Sequence, residues 1–214
     1  MSQLRFSLRS GKQFIKSPSN EAALATITSG RHSLFAIYGP SGSGKSHLAG
    51  VWRNNNDCDV IEQSDIDRVV REDCPKFVID GMSTPIEEEK LLHAINHTIE
   101  RKGKMMITSL TPPATWKIKD PSLYSRLRAI ITVEIKQPDQ NLLSEMLQVS
   151  FRARSWNINE TVVRFLANRI HRSGKSADEA AQMLCELSEK EGYRTISTEL
   201  VKNFFNQEDN SPNA

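Results

Sequence analysis

Residues 39 to 46 read Gly39-Pro40-Ser41-Gly42-Ser43-Gly44-Lys45-Ser46, and no other stretch of the chain restricts its fold so tightly. The spacing is G-x-x-x-x-G-K-[ST], a loop that cradles phosphate where it joins the end of a strand to the start of a helix. Both flanks meet that condition: the apolar run Ser33 to Tyr38 precedes it, and a helix is expected from about Lys45. Gly39, Gly42 and Gly44 let the backbone close around a phosphate with successive N–H groups turned inward. The helix adds the positive end of its dipole. Lys45 supplies a flexible point charge for β- and γ-phosphates, Ser46 a hydroxyl for Mg²⁺, and His47 follows on the first turn. The expected ligand is a nucleoside di- or triphosphate with Mg²⁺.

The rest of the first 137 residues supports that context. Phe77 to Asp80, Lys104 to Thr108 and Ala129 to Ile135 are short apolar or β-branched runs like Ser33 to Tyr38, and Val60-Ile61 is a weaker fifth. Such runs read as strands buried on both faces of a parallel sheet. Helical stretches separate them. Glu21 to about Gly30 is one, with Ser19 or Asn20 as its N-cap. A second starts at a capping box of Thr84 and Glu87 with Pro85 in the first turn, carries Ile86, Leu92, Ile95 and Ile99, and is expected to stop at Gly103. Strands alternating with helices predict an α/β fold with a parallel, doubly wound sheet. Asp80 closes its strand where a carboxylate for the nucleotide's Mg²⁺ is needed, so Ser46 and Asp80 form the predicted metal pair. Gly81 follows, where such sites often carry a second acid that orients water, and hydrolysis by this chain alone is expected to be slow or absent. Glu87, Glu88 and Glu89 read as a solvated helix face.

Beyond Gln137-Pro138-Asp139 the pattern turns helical: Leu142 to about Trp156, Glu160 to about Arg172, Ser176 to about Lys190 and Ser197 to about Phe205. Three segments are therefore expected: a tail over 1–13, an α/β base over 14–137 and a small helical lid over 138–214. The chain's 214 residues carry a net charge of only +2, which argues against a broadly nucleic-acid-binding surface. No apolar run approaches the roughly 18 residues of a membrane span. Cys58, Cys74 and Cys185 are an odd set at wide spacing, read as reduced thiols in a cytoplasmic protein. His93 and His97 share a helical face without an evident third ligand, and Trp52, Trp116 and Trp156 are scattered singly, so metal binding and base stacking are not expected.

From about Phe14 to Phe205 the chain resembles the AAA+ module of the bacterial replication initiator DnaA, and more specifically the stand-alone Hda family that switches DnaA off, notably its alphaproteobacterial branch. Phe14-Ile15 ahead of Ser19-Asn20-Glu21-Ala22 looks like the segment that closes over adenine, and Ile37-Tyr38-Gly39 running into Ser46-His47-Leu48 looks like the family's strand, loop and helix. Thr108 to Pro113 with Trp116 is similar to the sensor 1 region, with Leu110 where DnaA carries a polar sensor. Ser125-Arg126-Leu127 looks like the box bearing the arginine finger, with Arg128 as the fallback. Ile170 to Ser173 is similar to the sensor 2 helix, which implies a role on the phosphates for Arg172, one turn from Ser176.

Gln3-Leu4-Arg5-Phe6-Ser7-Leu8 resembles the short sliding-clamp-binding motif of Hda proteins, with Gln3 setting the register and Leu4, Phe6 and Leu8 as anchors. The resemblance implies a negative regulator of replication initiation. It would bind ADP or ATP itself, dock on the polymerase clamp, and offer Arg126 in trans to ATP held by DnaA. No helix-turn-helix domain is expected, hence no sequence-specific DNA binding, while assembly into a homo-oligomer is left open. Two alternatives use the same loop: a small-molecule kinase with a helical lid, and an AAA+ helicase or clamp-loading factor, which Gly81 and Leu110 disfavour.

Overall fold

Alternation along the strands sets the layers. In the computed structural model, which describes residues 14–209, the chain divides into two compact units, Met1–Gln137 and Pro138–Ala214. In the first, α1 (Glu21–Ser29), β1 (Leu34–Tyr38), α2 (Lys45–Asn56), β2 (Asp59–Ile61), α3 (Arg68–Arg71), β3 (Lys76–Met82), α4 (Glu88–Glu100), β4 (Lys104–Ser109), α5 (Pro121–Ala129) and β5 (Ile131–Glu134) follow in order. The strands form one parallel sheet, β2-β3-β4-β1-β5. Ala36, Phe77, Ile79, Met105 and Ile107 face α3, α4 and α5, where Val69, Leu91, Ile95, Leu123 and Leu127 complete one core. Their neighbours Phe35, Ile37, Val78 and Met106 point the other way, onto Leu24 and Ile27 of α1 and Leu48 and Trp52 of α2. Period-two side chains buried on both faces are what a doubly wound sheet requires.

The second unit holds α6 (Gln140–Ala153), α7 (Glu160–Ala167), α8 (Gly174–Lys190) and α9 (Thr198–Asp209). Asp139, Asn159 and Ser173 cap the first three by accepting from Leu142 N, Thr161 N and Ser176 N at 2.8, 2.9 and 3.0 Å. Leu147, Phe151, Val163, Leu166, Ala181 and Leu184 fill its own core.

Several expected boundaries move. The run starting at Ala129 gives its first residue to α5, whose end is exposed, and β5 starts only at Ile131. The capping box of Thr84 and Glu87 is not made: α4 starts at Glu88 without a side-chain cap. The Gln63 side chain instead holds this stretch, donating to the Ser83 and Pro85 carbonyls at 2.7 and 2.8 Å and accepting from Ser83 N at 2.8 Å. Nor is Glu88 merely solvated, because its carboxylate accepts from the backbone N–H groups of Lys119 and Asp120, fixing the entry to α5.

Gly103 does not act as the left-handed stop of α4; Lys102 does, at φ 50°. Gly103 is required because a Cβ there would collide with the Pro75 carbonyl, whose oxygen also accepts from Lys104 N at 2.8 Å. Gly103→Ala should therefore lower unfolding free energy by about 1–3 kcal/mol, the usual cost of forced overpacking, as read from urea denaturation. An unchanged midpoint would show that Pro75 can retreat.

Candidate functional site

The loop is pinned at its start by both sheet neighbours. Gly39 N donates to Ser109 O of β4 at 3.2 Å, and Ile135 N, just past β5, donates to Tyr38 O at 2.8 Å. The Ile135 carbonyl lies where a Cβ of Gly39 would be, so no side chain is tolerated. Gly42 and Gly44 then turn through φ 75° and 102°, conformations that cost other residues dearly. Ser43 N closes a turn on Pro40 O at 3.3 Å, and α2 begins with Leu48 N on Gly44 O.

Lys45 sits half-buried at this turn, its ammonium donating to Gly39 O and Pro40 O, both at 2.8 Å. Burial pulls its pKa below the ordinary lysine value, opposed by the nearby Asp80 carboxylate. Pro40, Ser41 and Ser46 are exposed around it. His47 meets Phe14 edge-on at 5.3 Å between ring centroids. Phe14 itself is buried in the α1–α2 core, and Ile15 is half-buried, its carbonyl accepting from Asn20 Nδ2 at 2.9 Å. Asn20 thus ties the segment before α1 in place rather than capping that helix with its side chain.

Asp80 is held from the neighbouring strand. Thr108 Oγ1 donates to Asp80 Oδ1 at 2.5 Å and accepts from Gly81 N at 2.7 Å. Reading along the chain missed Thr108 as a partner of Asp80; the sequence offered a hydroxyl residue closing the strand Lys104 to Thr108, and only the sheet order sets that strand beside Phe77 to Asp80. Gly81 adopts φ 79°, so a second acid there would meet open space but an unfavourable backbone.

The described residues fit a phosphate ligand with Mg²⁺. Gly39 has no room for a side chain, Gly42 and Gly44 hold left-handed backbone, Lys45 bonds carbonyls of the same turn, and Ser43 Oγ is buried with no hydrogen-bond partner among the described residues. Oxygen donors suited to Mg²⁺ are at hand: the Asp80 carboxylate, near enough to act on the Lys45 charge, and the hydroxyl of Ser46, the next residue of the chain. Leu110, just beyond β4, is 60% exposed and brings no polar atom to this end of the sheet.

Within the first unit, Arg126 and Arg128 lie away from this loop. Arg126 is exposed in the last turn of α5, beside a groove of about 550 Å³ lined by Leu34, Ile95, Ile99, Ser122 and Ser125. Leu34 opens β1 whereas Gly39 follows its end, so Arg126 and the phosphate loop stand at opposite ends of the strands, some 13 Å apart along β1 alone at ~3.3 Å per residue. Arg128 lies 5.7 Å over the Tyr124 ring. Arg172 is not on a helix as expected: α7 stops at Ala167 and Arg172 is exposed two residues before α8, because the Ser173 cap sets the new helix start. Gln3, Leu4, Phe6 and Leu8 lie outside the described residues.

His97 Nε2 lies 3.1 Å from an Asp73 oxygen, and no group of three potential metal ligands occurs among the described residues. Trp52 and Trp116 are buried. The three cysteines are free, with burial and Asp59 pushing Cys58 up to about 11. No helix among the described residues is long and apolar enough to cross a membrane.

Comparison with known proteins bears on this arrangement. No protein-family model matches the chain. In sequence it is similar to the chromosomal replication initiator DnaA of Paraburkholderia phymatum and of Burkholderia multivorans, 27% identical over 115 residues in each case. That match takes in 54% of this chain and spans 22% of the length of the initiators. In structure it superposes on domain III of Thermotoga maritima DnaA with a TM-score of 0.70 at 20% identity, covering 89% of this chain and 94% of that one.

The chain has the AAA+ P-loop fold. Two further likenesses agree: AMPPCP-bound DnaA of Aquifex aeolicus (TM-score 0.67, 16% identity, 83% and 67% covered) and the RuvB Holliday junction branch migration motor of Thermotoga maritima (0.70, 17%, 94% and 71%). The loop at 39–46 directly follows β1 of that fold, and the sequence is homologous to DnaA at low identity.

Proposed function

We propose that this AAA+ chain is a nucleotide-binding negative regulator of replication initiation, which presents Arg126 to ATP held by DnaA and so speeds hydrolysis there. The observation that supports the reading is the separation within one domain: an exposed guanidinium at the opposite end of the sheet from its own phosphate loop is out of reach of that loop and open to a nucleotide on another molecule. A planar fork of five N–H donors suits charge spreading over a transferring phosphoryl group. Such a finger is worth on the order of 10³ to 10⁵ in rate, roughly 4–7 kcal/mol.

The chain's own nucleotide, ADP or ATP, is then a ligand rather than a substrate. Gly39 to Ser46 surround its phosphates, Lys45 pairs with their charge, and Ser46 and Asp80 are the residues that would hold Mg²⁺, which neutralises phosphate charge when bound. Gly81 and Leu110 leave no group at 81 or 110 to orient an attacking water, which makes intrinsic turnover slow. Homology to DnaA, not to a kinase, favours a partner in initiation over a small-molecule acceptor. The setting is the cytoplasm, where initiator and clamp meet the chromosome.

The test is ATP turnover by DnaA, with and without DNA-loaded clamp, titrated with this protein. Stimulation that requires the clamp supports the reading, and multiple turnover by the isolated chain with no effect on DnaA would overturn it. Clamp docking is assigned to the segment in which Gln3 sets the register and Leu4, Phe6 and Leu8 are the anchors, binding at about micromolar strength. Replacing Gln3 and Leu4 together by Ala should erase clamp binding in surface plasmon resonance while leaving the melting temperature and ADP affinity unchanged. Unaltered clamp affinity would remove the tail from the mechanism.

A further inference from the structure

The backbone after Asp80 departs from regular strand. β3 and β4 pair through Ile79 and Ile107, and pairing resumes between Met82 and Ser109, so β3 carries one more residue than β4 in between. That is a bulge, and Gly81 absorbs it at φ 79°. The Gly81 N–H is thereby turned onto a side chain, donating to Thr108 Oγ1 at 2.7 Å.

Hydrogen-bond arithmetic then fixes the hydroxyl. A threonine hydroxyl owns a single proton, and a backbone N–H can only donate, so the Thr108 proton is free to point elsewhere. It points at Asp80 Oδ1, 2.5 Å away. Thr108 is wholly buried, which keeps water from competing for either bond. The bulge, the hydroxyl and the carboxylate form a relay in which one oxygen of Asp80 is held and the other, Oδ2, is left to act.

We propose that Thr108 is a positioning residue for the nucleotide's divalent cation, orienting the Asp80 carboxylate so that Oδ2 is presented toward Lys45 and Ser46. The assignment rests on the nucleotide-site reading above. It gives Thr108 a role that does not require contact with nucleotide or metal: it acts through Asp80, as a partner that orients a ligating carboxylate commonly does.

The experiment measures affinity of the full-length chain for a fluorescent ADP analogue across a Mg²⁺ titration. In Thr108→Val the Mg²⁺ concentration giving half of the affinity gain should rise roughly 10- to 100-fold, the range seen when such an orienting partner is lost. Affinity in EDTA should stay within about two-fold of the wild type, because only the metal's ligand is misplaced, and Thr108→Ser, which keeps the hydroxyl, should restore the wild-type Mg²⁺ midpoint. If Thr108→Val does not fold, Thr108→Ala, with space for a water on Gly81 N, takes its place and should show the same shift. An unchanged midpoint in either variant overturns the proposal, as does an equal loss of ADP affinity with and without Mg²⁺, which marks a purely structural residue. A wild-type chain that binds ADP without any response to Mg²⁺ overturns this inference alone; one that binds no adenine nucleotide overturns the site reading and the inference with it.

Discussion

Arg126→Ala is expected to reduce stimulation of DnaA ATP hydrolysis by at least 10³-fold while leaving nucleotide binding by this chain unchanged. The size follows from the role: a finger contributes only in the transition state, where the γ-phosphoryl oxygens gain charge, so its loss appears in rate and not in ground-state affinity. The independence follows from position, because Arg126 is exposed beside the groove at the start of β1 and the phosphate loop lies past its end. Arg126→Lys should recover little, since a compact ammonium keeps the charge but not the paired donors. Arg128→Ala should matter far less, its guanidinium lying over Tyr124 on the same helix. The measurement is phosphate release from ATP-loaded DnaA with DNA-loaded clamp present, alongside ADP-induced melting shifts of each variant. Full stimulation by Arg126→Ala would reject the assignment, and full stimulation with loss only in Arg128→Ala would move it two residues along.

How far the sequence alone reaches depends on whether a feature is local or assembled. The phosphate loop is contiguous, with its glycines, lysine and serine in eight residues, so its conformation was legible before any strand was paired. The strands were legible too, because Phe77-Val78-Ile79 and Met105-Met106-Ile107 bury every side chain and so read as unbroken apolar runs. Elements ended by competition were not. The capping box at Thr84 loses to Gln63, which is distant in sequence but takes both the Ser83 and Pro85 carbonyls. Gly103 looked like a helix stop and is instead a point of close backbone approach to Pro75, a contact invisible without the β3–β4 pairing. The hold of Thr108 on Asp80 spans 28 positions and exists only because those strands are neighbours and one of them bulges. Arg172 was misplaced for a related reason: helical periodicity runs on past Ala167, but the Ser173 hydroxyl accepts from Ser176 N and starts a new helix.

Lys45→Ala should weaken nucleotide binding by about 10²-fold or more with little effect on the unliganded fold, and the two halves of that expectation have separate causes. In the free chain the ammonium is partly buried against the Gly39 and Pro40 carbonyls, and burial lowers its pKa despite Asp80. A lysine whose folded pKa lies below its unfolded one is protonated more readily in the unfolded chain. Unfolded-state proton binding exceeds the native state's between the lowered value and 10.5, so stability of the free protein rises with pH across that window. Removing the group therefore costs the free fold within about 1 kcal/mol, the worth of ordinary hydrogen bonds to backbone carbonyls. Phosphate reverses the balance, because an anion in the loop favours the charged ammonium and raises its pKa. Charge-assisted hydrogen bonds contribute about 1.5–3 kcal/mol each, so the variant should bind ADP on the order of 10²-fold more weakly or worse. At 100 times the dissociation constant the wild type gains about 2.7 kcal/mol from ligand, and Lys45→Ala at the same ADP concentration should lose most of it. The same proton linkage gives a signature that simple loss of folding cannot imitate. Wild-type affinity should fall as pH climbs through the lowered lysine pKa, with net proton uptake on binding, detectable by calorimetry in buffers of different ionisation enthalpy. In Lys45→Ala that portion of the uptake should vanish. Proton uptake that persists undiminished in the variant would assign the linkage to another group and leave Lys45 as a structural clasp on its own loop.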